Sequence, residues 1–134
     1  METPFFEHLS YDERVDCLVF GQMRKCPAGS VLIQRGAKLD GLQILLSGQA
    51  TVAIGKAQLA VIEAGAVLGE ISFVLGSAAS ADVTASTDVS VLELSRHALD
   101  ALLLHHPSVT ASLYRSLAAE LARRLVKLSD RYAG

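Results

Sequence analysis

The stretch Val61–Leu94, VIEAGAVLGEISFVLGSAASADVTASTDVSVLEL, decides the fold. It opens on the end of a β-like run, Gln58 to Ile62, that Gly65 closes. It ends on two more such runs, Val83 to Ala85 and Val89 to Leu94. Between them Glu70 to Leu75 forms a short apolar piece, set after Gly69 and before Gly76, whose length suits one or two helical turns. A brief helix dropped into a series of short strands is not the alternation that builds parallel βαβ units.

Working upstream, the same texture continues. Val31-Leu32-Ile33 ends at Gly36, Leu42 to Leu46 ends at Ser47-Gly48, and Ala50 to Ile54 leads through Gly55-Lys56 into Gln58. A two-residue turn with glycine first suits a type II′ hairpin. Many short strands with glycine turns predict an antiparallel sandwich or barrel of about eight strands. Before Pro27-Ala28-Gly29, residues near 3–20 read as helical, with Ser10 or Asp12 as cap and Val15, Leu18 and Val19 at helical spacing. Downstream, Ser95 caps a helix from Arg96 to Leu104. Pro107 stops that helix and opens another to about Leu128, striped by Leu113, Leu117, Leu121, Leu125 and Leu128.

A chain of 134 residues fits one domain with a real core, and its 51% hydrophobic content argues for a folded chain. The expected division is a single domain, 1–134: N-terminal helices to about 20, β-rich residues 21–94, and C-terminal helices over 95–134. A net charge of −2 advertises neither nucleic acid nor an anionic membrane. The charge is uneven, however. From Pro107 onward Arg115, Arg123, Arg124, Lys127 and Arg131 face only Glu120 and Asp130, whereas residues 57–95 contain no Lys or Arg. Cys17 and Cys26 are too few and too isolated for a disulfide framework or zinc site, so two small buried residues are expected. No apolar stretch is long enough to span a bilayer, and a cytoplasmic protein without membrane insertion is the resulting expectation.

These residues also carry a family resemblance. PAGSVLIQRGAKLDGLQILLSGQATVAI resembles the first half of a cyclic-nucleotide-binding domain. VIEAGAVLGEISFVLGSAASADVTASTDVSVLEL resembles the second half, with its phosphate-binding cassette at 69–82, and SRHALDALLLHHP resembles the short helix next in the family's order. The final helix is similar to the family's lid helix. The resemblance, to the catabolite-activator-like regulatory domain without its DNA-binding part, spans roughly residues 20–128. It implies a mainly β, jelly-roll-like fold: an antiparallel β-roll (double-stranded β-helix) with N-terminal helices, a short cassette helix and two C-terminal helices.

A cyclic nucleotide offers a phosphodiester anion, a ribose hydroxyl and a flat base. Gly69 lets the backbone approach closely. The N–H groups of Ile71, Ser72 and Phe73 are expected to point from the short helix toward an anion. The resemblance gives Glu70 the ribose hydroxyl; a carboxylate there also stabilises its own helix start. The expected ligand-binding set is Gly69, Glu70, Ile71, Ser72, Ala79, Ser80 and Ala81, with cyclic AMP or cyclic GMP as ligand and no cofactor.

One departure stands out. Where the family places an arginine on the phosphate, this chain has Ala79, although Ser80 and Ala81 match the family's next two positions. Asp82 sits where a small polar residue is usual, and would repel an anion if it faced the pocket. A charge-assisted bond to a buried phosphate contributes about 1.5–3 kcal/mol, so its loss weakens affinity by roughly one to two orders of magnitude. Three readings are open. A cyclic nucleotide binds with a cation supplied from elsewhere, by Arg35, Lys38, Arg115, Arg123 or Arg124. The pocket serves an uncharged or different small ligand. Or the pocket is vestigial, and the domain is a nucleotide-independent dimerisation or docking piece for an unknown effector.

The other constellations point to no chemistry. His8, His97, His105 and His106 lack further ligands at metal spacing, and the His105-His106 pair suits a helix C-terminus. No Gly-x-Ser-x-Gly motif occurs, so neither catalysis nor a metal is expected. The leucine stripe either packs on the β-roll, the more common use of such a stripe, or pairs with a second copy, and the resemblance makes a homodimer through this helix an open alternative. The family's transcription factors carry a helix-turn-helix after it; here the sequence ends at Gly134, and no nucleic-acid binding is expected.

Overall fold

The computed structural model describes residues 6–133, and of Ile71, Leu128 and residues 131–133 the backbone only. Residues 3–5 of the expected N-terminal helical region lie outside that description. Ser10 caps α1 (Tyr11–Phe20): its hydroxyl accepts from the Glu13 amide, and Glu13 returns a bond to the Ser10 amide. This reciprocal cap satisfies two orphan donors of the first turn. The strands are β1 (Gln22–Cys26), β2 (Val31–Ile33), β3 (Gly41–Ser47), β4 (Gln49–Ile54), β5 (Ala57–Glu63), β6 (Val67–Leu68), β7 (Asp82–Ala85) and β8 (Val89–Ser95). The short α2 (Glu70–Leu75) lies between β6 and β7, while α3 (Arg96–His105) and α4 (Pro107–Ala133) close the chain.

The strands form two four-stranded antiparallel sheets, ordered β1-β8-β3-β6 and β2-β7-β4-β5. Gly55 has φ +58° and Lys56 has no positive φ, the pattern of the type II′ turn that the sequence predicts. The first sheet is covered on both faces. Leu42, Ile44, Leu92 and Leu94 pack with Leu99, Leu102, Val109, Leu113 and Leu117 of α3 and α4. Leu45, Val89 and Val91 pack instead with Leu32, Ile33, Ala50, Val83 and Ala85 of the second sheet. Covered on both faces, β8 buries Val89 and Val91 on one side and Leu92 and Leu94 on the other, so its apolar residues do not alternate cleanly with polar ones.

Two strands escape the sequence reading. In β1, QMRKC is exposed or half-buried throughout and carries no apolar periodicity. Its ladder to β8, running from Gln22↔Glu93 to Cys26↔Val89, and an Arg24–Glu93 ion pair at 2.9 Å hold it in place. In β6 both residues are buried, but two positions are too few to show a period.

The cysteines differ from expectation. Cys17 is fully buried among the helix-side core, but Cys26, at the end of the exposed β1, is only half-buried. Burial pushes the Cys17 thiol up to about 12, with Asp16 and Glu13 adding to the effect. Since the thiolate is the nucleophile, a thiol reagent is expected to label Cys26 in the folded chain and to reach Cys17 only on unfolding. Equal labelling rates would mean that the helix-side core opens readily.

Candidate functional site

The cassette begins where β6 ends. Gly69 has φ +79°, and a Cβ there would lie 2.5 Å from Leu39 Cδ1. The left-handed backbone favours glycine at this position, and a Cβ would also have to push the Leu39 side chain aside. Glu70 then starts α2, and Gly76 (φ +68°) ends it. The Phe73 amide donates to the Gly69 carbonyl at 3.0 Å. The helix thus begins one residue earlier than the expected anion-facing trio assumed. The amides without an intrahelical acceptor belong to Glu70, Ile71 and Ser72, not to Phe73. Phe73 instead buries its ring in the helix-side core, beneath the Arg96 guanidinium at 4.4 Å.

Beside the cassette lies a cavity of about 400 Å³. Six of the seven expected site residues line it: Gly69, Glu70, Ser72, Ala79, Ser80 and Ala81. The seventh, Ile71, lies outside the described side chains. The rest of the lining is aliphatic, made by Ile33, Val52, Ile62, Val67, Leu68 and Val83 from both sheets and by Leu39 from the β2–β3 loop. Ala79 is buried at 8% exposure and backbone-bonded to the β2–β3 loop, its amide to Ala37 O and its carbonyl from the Gly36 amide, each at 2.8 Å. Position 79 is thereby fixed with its methyl group toward the cavity.

The cation missing from the cassette has a counterpart on α4. Arg124 lines the cavity, forms an ion pair with Glu70 Oε1, and donates from Nη2 to the Val67 carbonyl at 3.1 Å. Its Nε lies 3.6 Å from Glu120. Burial works against the Arg124 charge and pushes its pKa down from the ordinary value. A guanidinium nonetheless stays protonated through neutrality. Among the described residues, the other four candidates do not line the cavity. Arg35, Lys38 and Arg115 are exposed, and Arg123 is turned to Glu7 at 2.6 Å and Glu120 at 2.8 Å. Glu70 itself is buried at 4% exposure, so its charge has a partner before any ligand arrives.

Asp82 does not repel anything from the cavity. Its Oδ1 accepts from the Arg35 amide at 2.7 Å, fixing the β2–β3 loop, and it is absent from the cavity wall. Its place in β7, registered with Ala53, turns it away from the pocket-lining Val83.

The leucine stripe of α4 divides. Leu113 and Leu117 are in the helix-side core and Leu121 packs against it, whereas Leu125 is 64% exposed. His105 and His106 both pack on Phe20, with His106 Nδ1 3.6 Å from Asp16. Among the described residues, no helix is long and apolar enough to cross a membrane.

A glycine-bounded cassette helix inside an antiparallel β-roll, roofed by α4, is the architecture of a class of regulatory ligand-binding domains. Residues 23–106 match the family model of the cyclic nucleotide-binding domain, and the chain belongs to that family. Among solved structures, a cyclic nucleotide-binding domain from Methylobacillus flagellatus superposes with TM-score 0.82 at 29% identity, covering 92% of this chain and 72% of that one. The Thermus thermophilus catabolite activator protein superposes with TM-score 0.79 at 28% identity, covering 98% of this chain and 62% of that one. Among curated proteins, glutaminase 2 of Bradyrhizobium diazoefficiens is 34% identical over 126 residues, 93% of this chain but 20% of that protein. A cyclic nucleotide-gated potassium channel of Rhizobium etli is 30% identical over 106 residues, 79% of this chain and 29% of the channel. The chain thus spans a minor part of the length of these curated relatives.

Proposed function

We propose that this chain is a regulatory ligand-sensing module that holds a cyclic nucleotide, cyclic AMP or cyclic GMP, in the cassette cavity with reduced affinity. The observation that carries the reading is the convergence of Gly69, Glu70, Ser72, Ala79, Ser80 and Ala81 on one cavity of about 400 Å³ under Arg124. That size lies within the range of small-ligand sites, about 300–1,000 Å³. Glu70 accepts from the ribose hydroxyl. The amides of the first turn of α2 and the Ser80 hydroxyl meet the phosphate, and the aliphatic wall covers the base. The relatives support a signalling role by their names: a cyclic nucleotide-gated channel, and a cGMP-dependent phosphodiesterase of Dictyostelium discoideum that is 34% identical over 68% of this chain and spans far beyond it. Binding would then control an effector protein or adjoining domain in the cytoplasm.

Calorimetric titration of cyclic AMP and cyclic GMP into the purified chain tests this. Saturable binding in the micromolar range or weaker is expected. Sub-micromolar binding would overturn the reduced-affinity part, and no binding of either would overturn the cyclic-nucleotide reading.

A further inference from the structure

A nucleotide asks three things of a site: an acceptor for its ribose hydroxyls, a surface for its base and a counter-charge for its phosphate. The cavity supplies the first two. Glu70 is a buried carboxylate on the wall, and a carboxylate accepts about four hydrogen bonds, so pairing with Arg124 does not exhaust it. Side chains of the second sheet, Ile33, Val52 and Ile62 among them, and Leu39 of the β2–β3 loop give the base an apolar wall.

The third requirement is unmet. Where the phosphate would lie, the cassette presents the methyl groups of Ala79 and Ala81, the hydroxyl of Ser80 and the first-turn amides of α2, which are dipoles and carry no full charge. Arg124, the cavity's cation among the described residues, already serves Glu70 and the Val67 carbonyl. Moving it to a phosphate would leave Glu70 buried without a counter-charge, and leaving it in place would give the occupied cavity a net negative charge. Either way one desolvated anion has hydrogen bonds at most and no counter-ion, which is costly. A ligand without the phosphate meets neither cost.

We infer that the preferred ligand of this cavity is an uncharged ribonucleoside, held by Glu70 through its ribose hydroxyls and by the aliphatic wall through its base. This rests on the reading of the cassette cavity as a nucleotide-type site: it keeps that reading's ribose and base contacts and removes the phosphate.

The test is calorimetric titration of the whole chain at fixed salt with adenosine, guanosine, cyclic AMP, cyclic GMP and 2′-deoxyadenosine. At least one of the two nucleosides is expected to bind about tenfold or more tightly than the cyclic nucleotide of the same base, the effect of one uncompensated charge-assisted contact. Adenosine, if it is the base accepted, is expected to bind about tenfold more tightly than 2′-deoxyadenosine, because removal of the hydroxyl leaves the buried carboxylate short of a donor. If guanosine is accepted instead, 2′-deoxyguanosine makes the same comparison. Cyclic nucleotides binding as tightly as the nucleosides, or more tightly, overturn this inference and leave the cyclic-nucleotide reading standing. A deoxynucleoside equal to its ribonucleoside overturns the ribose contact and with it the inference. If none of the ligands binds, the inference and the reading beneath it fall together.

Discussion

The Ala79→Arg variant is expected to bind cyclic AMP roughly ten- to a hundredfold more tightly than the parent chain. Arginine at this position adds one charge-assisted contact, worth about 1.5–3 kcal/mol, and each 1.4 kcal/mol is about tenfold in affinity. The backbone frame stays in place, because Ala79 bonds to Ala37 and Gly36 through main-chain atoms and only its side chain changes. The methyl group it replaces lines the cavity wall, so the longer side chain has the cavity's volume to enter and a planar guanidinium to offer the phosphate in bidentate form. Without ligand the added cation sits beside the existing Glu70–Arg124 pair, and the unliganded variant should be somewhat less stable than the parent. Adenosine, which has no phosphate to gain from the change, should keep its affinity within about threefold. Titrating both ligands into parent and variant at one salt concentration measures the gain and its selectivity. A variant that folds and shows no gain for cyclic AMP would mean that the phosphate does not lie against position 79.

The strand texture, the cassette helix and the residues of the cavity's cassette side were all legible in the sequence, because each is local. Gly69 and Gly76 bracket α2 within eight positions, and the turn glycines punctuate the strands directly. What was not legible lies far apart in the chain. Arg124 is brought to Glu70 by the docking of α4, and it stood among five candidate cations with nothing in the local sequence to choose between them. Helix geometry contains the missing signal. At about 100° per residue, each four-residue step of the leucine stripe overshoots a full turn by about 40°. Relative to Leu113, Leu125 has therefore rotated about 120° away, while Arg124 returns to within about 20°. The face that Leu113 and Leu117 bury continues into Arg124, and Leu125 turns out to solvent at 64% exposure. Asp82 escaped for a similar reason. Its partner, the Arg35 amide, lies on a loop 47 residues upstream, and only the β2–β7 pairing brings the two together.

Arg124→Ala is expected to destabilise the chain by about 1–3 kcal/mol, the cost of leaving a buried partner unsatisfied. Removing one member of a fully buried pair costs about 3–5 kcal/mol, and that value is a ceiling here. The Arg124 side chain is 39% exposed, so water reaches part of the pair and can partly replace the guanidinium. The asymmetry of the pair sets the pattern across a double-mutant cycle. Glu70 is the deeper member, with its side chain at 6% exposure, and it has nowhere to turn when Arg124 is gone. Arg124, by contrast, lies 3.6 Å from Glu120 and keeps an acidic neighbour when Glu70 is neutralised. Glu70→Gln alone should therefore cost less than Arg124→Ala alone. The double variant, with a neutral amide at 70 and no cation opposite, should be more stable than Arg124→Ala, which places the coupling between the two sites at about 0.5–3 kcal/mol. Urea unfolding of the four proteins at neutral pH, with midpoints compared at a common slope, reads these values. An Arg124→Ala variant as stable as the parent would show that the cassette carboxylate finds its stabilisation elsewhere, and that α4 does not hold the roof of the cavity through this pair.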